Sequence, residues 1–254
     1  MKHLYLVLSL FVLATIQAQT TQDSIYFWKA GVLIAKRSIK PTDLDSISFK
    51  RPAPAIANVT ICSQVWATKN LDVTTYSDGT PIPQVTDPTA WANLTTGAWC
   101  YYNNDAANNA TYGKLYNWYA AAGIYDAASL TNASLRKKLA PTGYHVPTDT
   151  EWTTLTTCLG GESVAGGKMK ETGTAHWQSP NTDATNSSGF TGLPGGYRNF
   201  YGTFYTIGYN GNWWSSSEYV TTDAWLRSLN YNNGITFIFT NNKKNGFSVR
   251  CLRD

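Results

Sequence analysis

Apolar residues in this chain seldom recur with a helical period. Most come as short aromatic patches between Gly, Asn and Ser. The first run is the exception. Leu4 to Ile16 is a continuous apolar stretch behind Lys2 and His3, and it ends at Ile16-Gln17-Ala18 with a small residue at the cleavage position. It is too short to span a bilayer comfortably, so residues 1–18 read as a secretory signal peptide. No Cys sits beside the cut and no second long apolar run follows. The mature chain is therefore expected to carry neither a lipid anchor nor a membrane span.

Residues 19–55 form a small β-rich segment with a linker. Ser24–Trp28 and Val32–Ala35 are strand candidates around the turn Lys29-Ala30-Gly31, and a third short strand is expected near Asp43–Phe49. Arg51-Pro52-Ala53-Pro54 then breaks the pattern. From residue 56 to 254 a longer unit follows. Val59–Trp66 and Trp99–Tyr102 are strand candidates, and Tyr76-Ser77-Asp78-Gly79 is a turn.

Two helices are expected. Tyr112, Leu115, Tyr116 and Tyr119 fall on one helical face, with Gly123 as terminator. Thr148-Asp149-Thr150-Glu151 is a capping box, Trp152, Leu155 and Leu159 share the face that follows, and Gly160-Gly161 ends it. Beyond residue 185 only short aromatic strands remain, among them Trp213-Trp214, Ala224-Trp225 and Gly246–Cys251. Strands, two helices, then strands again make an α+β chain.

Composition narrows the function. A formal charge of +4, without a basic stripe, gives no reason to expect nucleic acid. Charged residues make up 14% of the chain and aromatics another 14%, so Asn, Thr, Ser, Gly and Tyr must cover much of the surface. That palette suits adaptable binding surfaces. The four cysteines form no CxxC pair, and an even count in an exported chain points to two disulfides rather than zinc. Three connectivities are open. Cys62–Cys100 with Cys158–Cys251 is favoured, the second bridge tying a helix to the terminal strand.

Several segments together resemble the Fibrobacter succinogenes major paralogous domain. They are Gln64–Leu71, Tyr112–Trp118, Pro141–Pro147 running into Glu151-Trp152, Gly189-Phe190 with Pro194–Arg198, Trp213–Glu218, and Ser248–Cys251. They occur in family order over residues 58–254. The family commonly has a Cys before the Pro-x-Gly segment and a Trp within it, where this chain has Ala140 and Tyr144. Cys158 is then a substitute helix-side partner. The resemblance implies a C-type-lectin-like fold, with short antiparallel strands, two helices, long loops, and first and last strands brought together. It is also similar at fold level to formylglycine-generating enzymes, but the cysteine pair of their late strands is missing: Trp213–Ser216 stands there, and Cys251 is the only thiol of the region.

Candidate chemistry is sparse. His145 precedes the capped helix and suits packing or hydrogen bonding, while His176 has no evident partner. Glu151 is explained by capping, which leaves Glu218 or His145 for a cleft enzyme. No cofactor is expected. Asn103, Asn104 and Asp105, with Asn181, Asp183 and Asn186, offer oxygen ligands for calcium, although the same residues suit turns at positive φ. The best binding candidates lie late: Tyr201, Tyr205, Tyr209 and Tyr231, with Asn232 and Asn233, while Trp213, Trp214, Trp225 and Phe247 belong to the core. The reading is a non-catalytic, secreted or surface module that recognises a glycan or a protein through these loops. The alternative is a building block that self-assembles through its N-terminal strands.

Overall fold

A computed structural model of the chain describes residues 23–29, 32–39 and 56–254. The backbone divides into two compact units, 1–54 and 55–254. In the first, β1 (Asp23–Lys29) and β2 (Val32–Ile39) pair as an antiparallel hairpin with a register shift between Phe27 and Trp28. The expected signal peptide at 1–18, the third strand at 43–49 and the linker at 51–54 lie outside the described residues. Among the described residues no helix is long and apolar enough to cross a membrane.

The second unit runs β3 (Asn58–Ile61), β4 (Gln64–Ala67), α1 (Pro88–Ala92), β5 (Trp99–Cys100), α2 (Asn109–Tyr112), β6 (Leu115–Tyr116), α3 (Trp118–Ala121), α4 (Ala127–Thr131), β7 (Tyr144–His145), α5 (Asp149–Cys158) and α6 (Glu162–Met169). It closes with β8 (Gly195–Arg198), β9 (Phe204–Ile207), β10 (Asn210–Glu218), β11 (Asp223–Asn230), β12 (Thr236–Asn242) and β13 (Leu252–Arg253). It is mixed helix and sheet, and its sheets are small and antiparallel. One has the order β3-β4-β13-β7, another β10-β11-β12, and β5-β6 and β8-β9 are two-stranded. Leu252 lies opposite Trp66 on one side and His145 on the other, so the ends of this unit are joined.

The middle of β10, in the β10-β11-β12 sheet, is buried on both faces, and two adjacent residues show why. Side chains alternate along a strand, so Trp213 and Trp214 point to opposite sides. Trp214 enters a core with Trp118, Ala224, Leu226 and Phe247. Trp213 enters a second core with Trp66, Trp152, Phe190 and Leu229. Each indole N–H donates within its own core, Trp213 to Asn70 Oδ1 at 2.8 Å and Trp214 to the Tyr116 carbonyl at 2.9 Å. Trp225, expected in the core, is only half-buried; it sits at the end of the sheet with Tyr219 edge-on at 4.9 Å.

The capped helix forms as its sequence requires. Thr148 Oγ1 accepts from the Glu151 N–H, and the Thr148 N–H donates to Glu151 Oε2 at 2.8 Å. The helix expected from Tyr112 to Tyr119 does not form. The chain instead makes the short α2, the two-residue β6 and the short α3. Gly113, at φ 72, interrupts it, and a Cβ there would come within 2.8 Å of the Leu71 carbonyl oxygen. Lys114 N–H donates to Leu71 and Tyr116 N–H to Phe247, so tertiary strand pairing overrides the helical period. The sequence gives little sign of α6, because Gly166 and Gly167 occupy its interior. They let the helix lie against the Ile235 and Asp183 backbones, where a Cβ would meet carbonyl oxygens at 2.4 and 2.5 Å.

The cysteine pairing differs from the expected Cys62–Cys100 and Cys158–Cys251. The disulfide is Cys62–Cys158, with Cα atoms 6.7 Å apart. Cys62, at φ 53, forms the turn between β3 and β4. Helix α5 lies against that hairpin, with Trp152 4.7 Å from Trp66, and its last residue reaches the turn. Cys100 and Cys251 are free thiols buried in different clusters. Burial pushes both up to about 12.

Candidate functional site

The β8–β9 hairpin turns on Asn199, whose Oδ1 accepts from the Tyr201 and Thr203 amides at 3.0 and 2.9 Å. That turn pushes Tyr201 outward to 67% exposure; Tyr205 is 42% and Tyr209 44% exposed. Each of these rings rests on another. Tyr201 lies 4.0 Å from Phe200, Tyr205 stacks on Tyr197 at 5.6 Å, and Tyr209 meets Tyr231 edge-on at 5.1 Å. Tyr231 departs from its expected exposure: it is half-buried and packs against the second core beneath Tyr209. Asn232 and Asn233 build the adjacent turn. Asn233 Nδ2 donates to Asn232 Oδ1, Asn233 Oδ1 accepts from the Ile235 amide, and its carbonyl takes a bond from Lys170 Nζ.

The catalytic candidates are already engaged. His145 Nδ1 is 2.7 Å from Asp254 Oδ1, and its Nε2 is 2.9 Å from Glu151 Oε1. Burial alone would raise the Glu151 pKa, but the bonds from the Thr148 amide, the Thr148 hydroxyl and His145 bring it below its ordinary value. Glu218 pairs with Lys243 Nζ at 2.6 Å. Asn103 and Asn104 have φ of 54 and 55°, and Asp105 Oδ1 accepts from the Ala107 amide at 2.9 Å, so the three build a tight turn. Asn181, Asp183 and Asn186 also lie at positive φ. Among the described residues no group of three or more His, Cys, Asp and Glu side chains is placed to hold a metal.

A feature missed by the sequence reading lies beside the late hairpin. A cleft of about 400 Å³ is lined by Thr68, Lys69, Thr111, His176, Thr191 and Arg250, with Asn70 and Leu193 among their neighbours. Asn70 joins two of its walls: its Nδ2 donates to the Tyr112 carbonyl and its Oδ1 accepts from Arg250. Thr191, at φ 53, is fixed by its amide bond to Asn186 Oδ1. The Tyr hairpin borders the same region, since Gly208 exchanges backbone bonds with Gln178 and Pro194.

Arg250 is buried to 1% exposure. It donates to the carbonyls of Ala67 and Phe190 at 3.0 and 2.7 Å and to Asn70 Oδ1 at 3.0 Å, and it lies 4.3 Å over the Phe190 ring. Among the described residues no carboxylate forms an ion pair with it. Burial pulls its pKa down to about 9, which leaves it a cation at neutral pH.

His176, which the sequence leaves without a partner, has its Nδ1 2.8 Å from Glu171 Oε2. Asn181 Nδ2 knits the intervening loop by donating to the Glu171 and Gly173 carbonyls. No single segment announces this cleft, because its side chains come from five separate stretches of chain.

No curated protein and no solved structure matches the chain. The model of the Fibrobacter succinogenes major domain matches residues 59–253, from the second residue of β3 to the end of β13, and the chain belongs to that family.

Proposed function

We propose that this protein is a secreted or surface-displayed, non-catalytic binding module that recognises a glycan or a protein through the rings of its late hairpin. The observation that carries this reading is the backing of Tyr201, Tyr205 and Tyr209 by Phe200, Tyr197 and Tyr231. A ring held in place by a second ring loses little entropy on binding and offers a flat apolar face with a polar tip. Such faces stack on the C–H faces of sugars and fit protein hot spots. The joining of β4 and β13 supports a C-type-lectin-like reading of the α+β architecture. The engagement of both His145 nitrogens, and of Glu218 by Lys243, supports the non-catalytic assignment.

A glycan array and a cell-surface pull-down with wild type and the Tyr201→Ala/Tyr205→Ala/Tyr209→Ala variant test it. Capture is expected to fall by roughly tenfold or more, as for the loss of hot-spot aromatics. Capture unchanged in the triple variant removes the hairpin site.

The second reading, a building block that assembles through its N-terminal strands, is favoured by the β1–β2 hairpin. Val32 and Leu33 are 64% and 44% exposed on a two-stranded ribbon, and such ribbons offer edges for pairing. Sedimentation of the exported chain with and without Leu33→Lys tests it: a wild type that stays monomeric at all concentrations rejects this reading.

A further inference from the structure

The hairpin tyrosines explain an apolar contact, but not the chemistry of the cleft beside them. Three of the cleft's lining groups are basic or can become so: Lys69, His176 and Arg250. No carboxylate lines it among the described residues; Glu171 is held on the Nδ1 side of His176 and is not part of the wall. The Lys69 side chain is exposed and has no hydrogen-bond or ion-pair partner among the described residues. The N–H groups of Arg250 are committed to protein oxygens, so it contributes charge rather than bonds. Charge placed behind a polar wall raises the local concentration of anions. The Thr111 hydroxyl is uncommitted among the described residues and can donate or accept, whereas the Thr68 hydroxyl donates to the Ala57 carbonyl at 3.2 Å and the Thr191 hydroxyl to the Gly189 carbonyl at 3.3 Å, so toward a ligand these two act as acceptors. His176 Nε2 has no protein partner among the described residues, so it can pair with a ligand hydroxyl or, with both ring nitrogens protonated, with an anion. At about 400 Å³ the cleft falls within the size range of small-molecule sites.

We infer that this cleft is a subsite for an acidic sugar: the carboxylate of a uronic-acid-type residue faces Lys69 and His176, and its hydroxyls meet Thr68, Thr111 and Thr191. The choice of a sugar rests on the binding reading above, whereas the choice of a carboxylate rests on the cleft alone.

The test titrates the exported chain with glucuronate, glucose and inorganic phosphate, followed by calorimetry and by the His176 ring resonances. Glucuronate is expected to bind roughly tenfold more tightly than glucose, to shift the His176 signals, and to weaken as salt is raised. Lys69→Glu, a change at an exposed position, is expected to lower glucuronate affinity by roughly tenfold or more. Thr111→Val is expected to weaken glucuronate and glucose alike. Equal affinity for glucuronate and glucose, or no response to Lys69→Glu, overturns the carboxylate assignment. Phosphate binding as tightly as glucuronate with glucose silent overturns the sugar assignment and leaves a bare anion patch. The tyrosine triple variant separates this idea from the function proposed above, since it should lose capture of larger ligands while keeping monosaccharide binding.

Discussion

Arg198 and Arg250 are alike in chemistry and different in setting. Both guanidiniums are buried, both bond to backbone carbonyls, and among the described residues neither has a carboxylate partner. Arg198 binds the Val85, Thr86 and Gly202 carbonyls and is sandwiched between Trp91 at 4.4 Å and Phe204 at 4.9 Å. Its neighbour Cys100 is a buried free thiol. Nothing in that region lines the cleft. Arg250 has Phe190 on one side and the cleft on the other, and the core it serves is stapled by Cys62–Cys158. In the closed setting the cation only ties loops together. In the open one it ties loops together and also projects its field toward solvent. The same device thus serves cohesion alone in one half and, under the acidic-sugar proposal, recognition as well in the other.

Arginine truncations try this contrast hardest. Arg198→Ala and Arg250→Ala should each destabilise by about 4 kcal/mol in denaturant melts, because several carbonyls lose their donors at once. A small loss at Arg250 would mean that its bonds are not structural and would break the parallel. Cys62→Ser should cost about 2–4 kcal/mol, read as a lower melting temperature, since the bridge closes a long loop. Cys100→Ala should cost about 1 kcal/mol, the effect of a small cavity.

The next prediction sharpens the electrostatic side. The arginine sites lack carboxylates, so acid should not undo them, whereas the cap of α5 should respond to acid. The folded pKa of Glu151 lies below its ordinary 4.5. Its contribution is therefore complete above that value and is lost as pH falls through the folded one. Glu151→Gln should cost about 1 kcal/mol at neutral pH, and the gap to wild type should close below pH 4.5. A gap that stays constant down to acid would contradict the pairing at Thr148 and His145. Lys69→Gln should have the smallest effect on stability, within about 0.5 kcal/mol, since the side chain is exposed and touches no partner.

What the sequence could and could not reveal follows from how local each signal is. The capping box of α5 is a four-residue device and was readable. The family segments were readable because each keeps its own spacing. Of the four tyrosines expected to face outward, Tyr201, Tyr205 and Tyr209 are exposed, whereas Tyr231 is half-buried because it packs against the second core beneath Tyr209. The helix expected from Tyr112 to Tyr119 failed because its backbone partners, Leu71 and Phe247, lie far away along the chain. The disulfide was misassigned for a similar reason: tertiary contacts, the packing of Trp66 on Trp152 and the bond from Gln64 Nε2 to the Glu151 carbonyl, bring the end of α5 to the β3–β4 turn. The cleft was invisible since Lys69, Thr111, His176, Thr191 and Arg250 share no motif. A basic residue flanked by apolar ones, as in Val249-Arg250-Cys251, was the one available hint of a buried cation.

The adjacent tryptophans of β10 have a consequence for how this domain can change its length. They face opposite cores, so the strand obeys a parity rule. Inserting one residue between Asn210 and Trp213 would exchange the two indoles and strip Trp213 of its bond to Asn70 and Trp214 of its bond to Tyr116. Inserting two would restore sidedness but slide the strand past β11. Growth or shrinkage is thereby confined to stretches such as 199–203, where the Asn199 turn can be rebuilt without touching that parity.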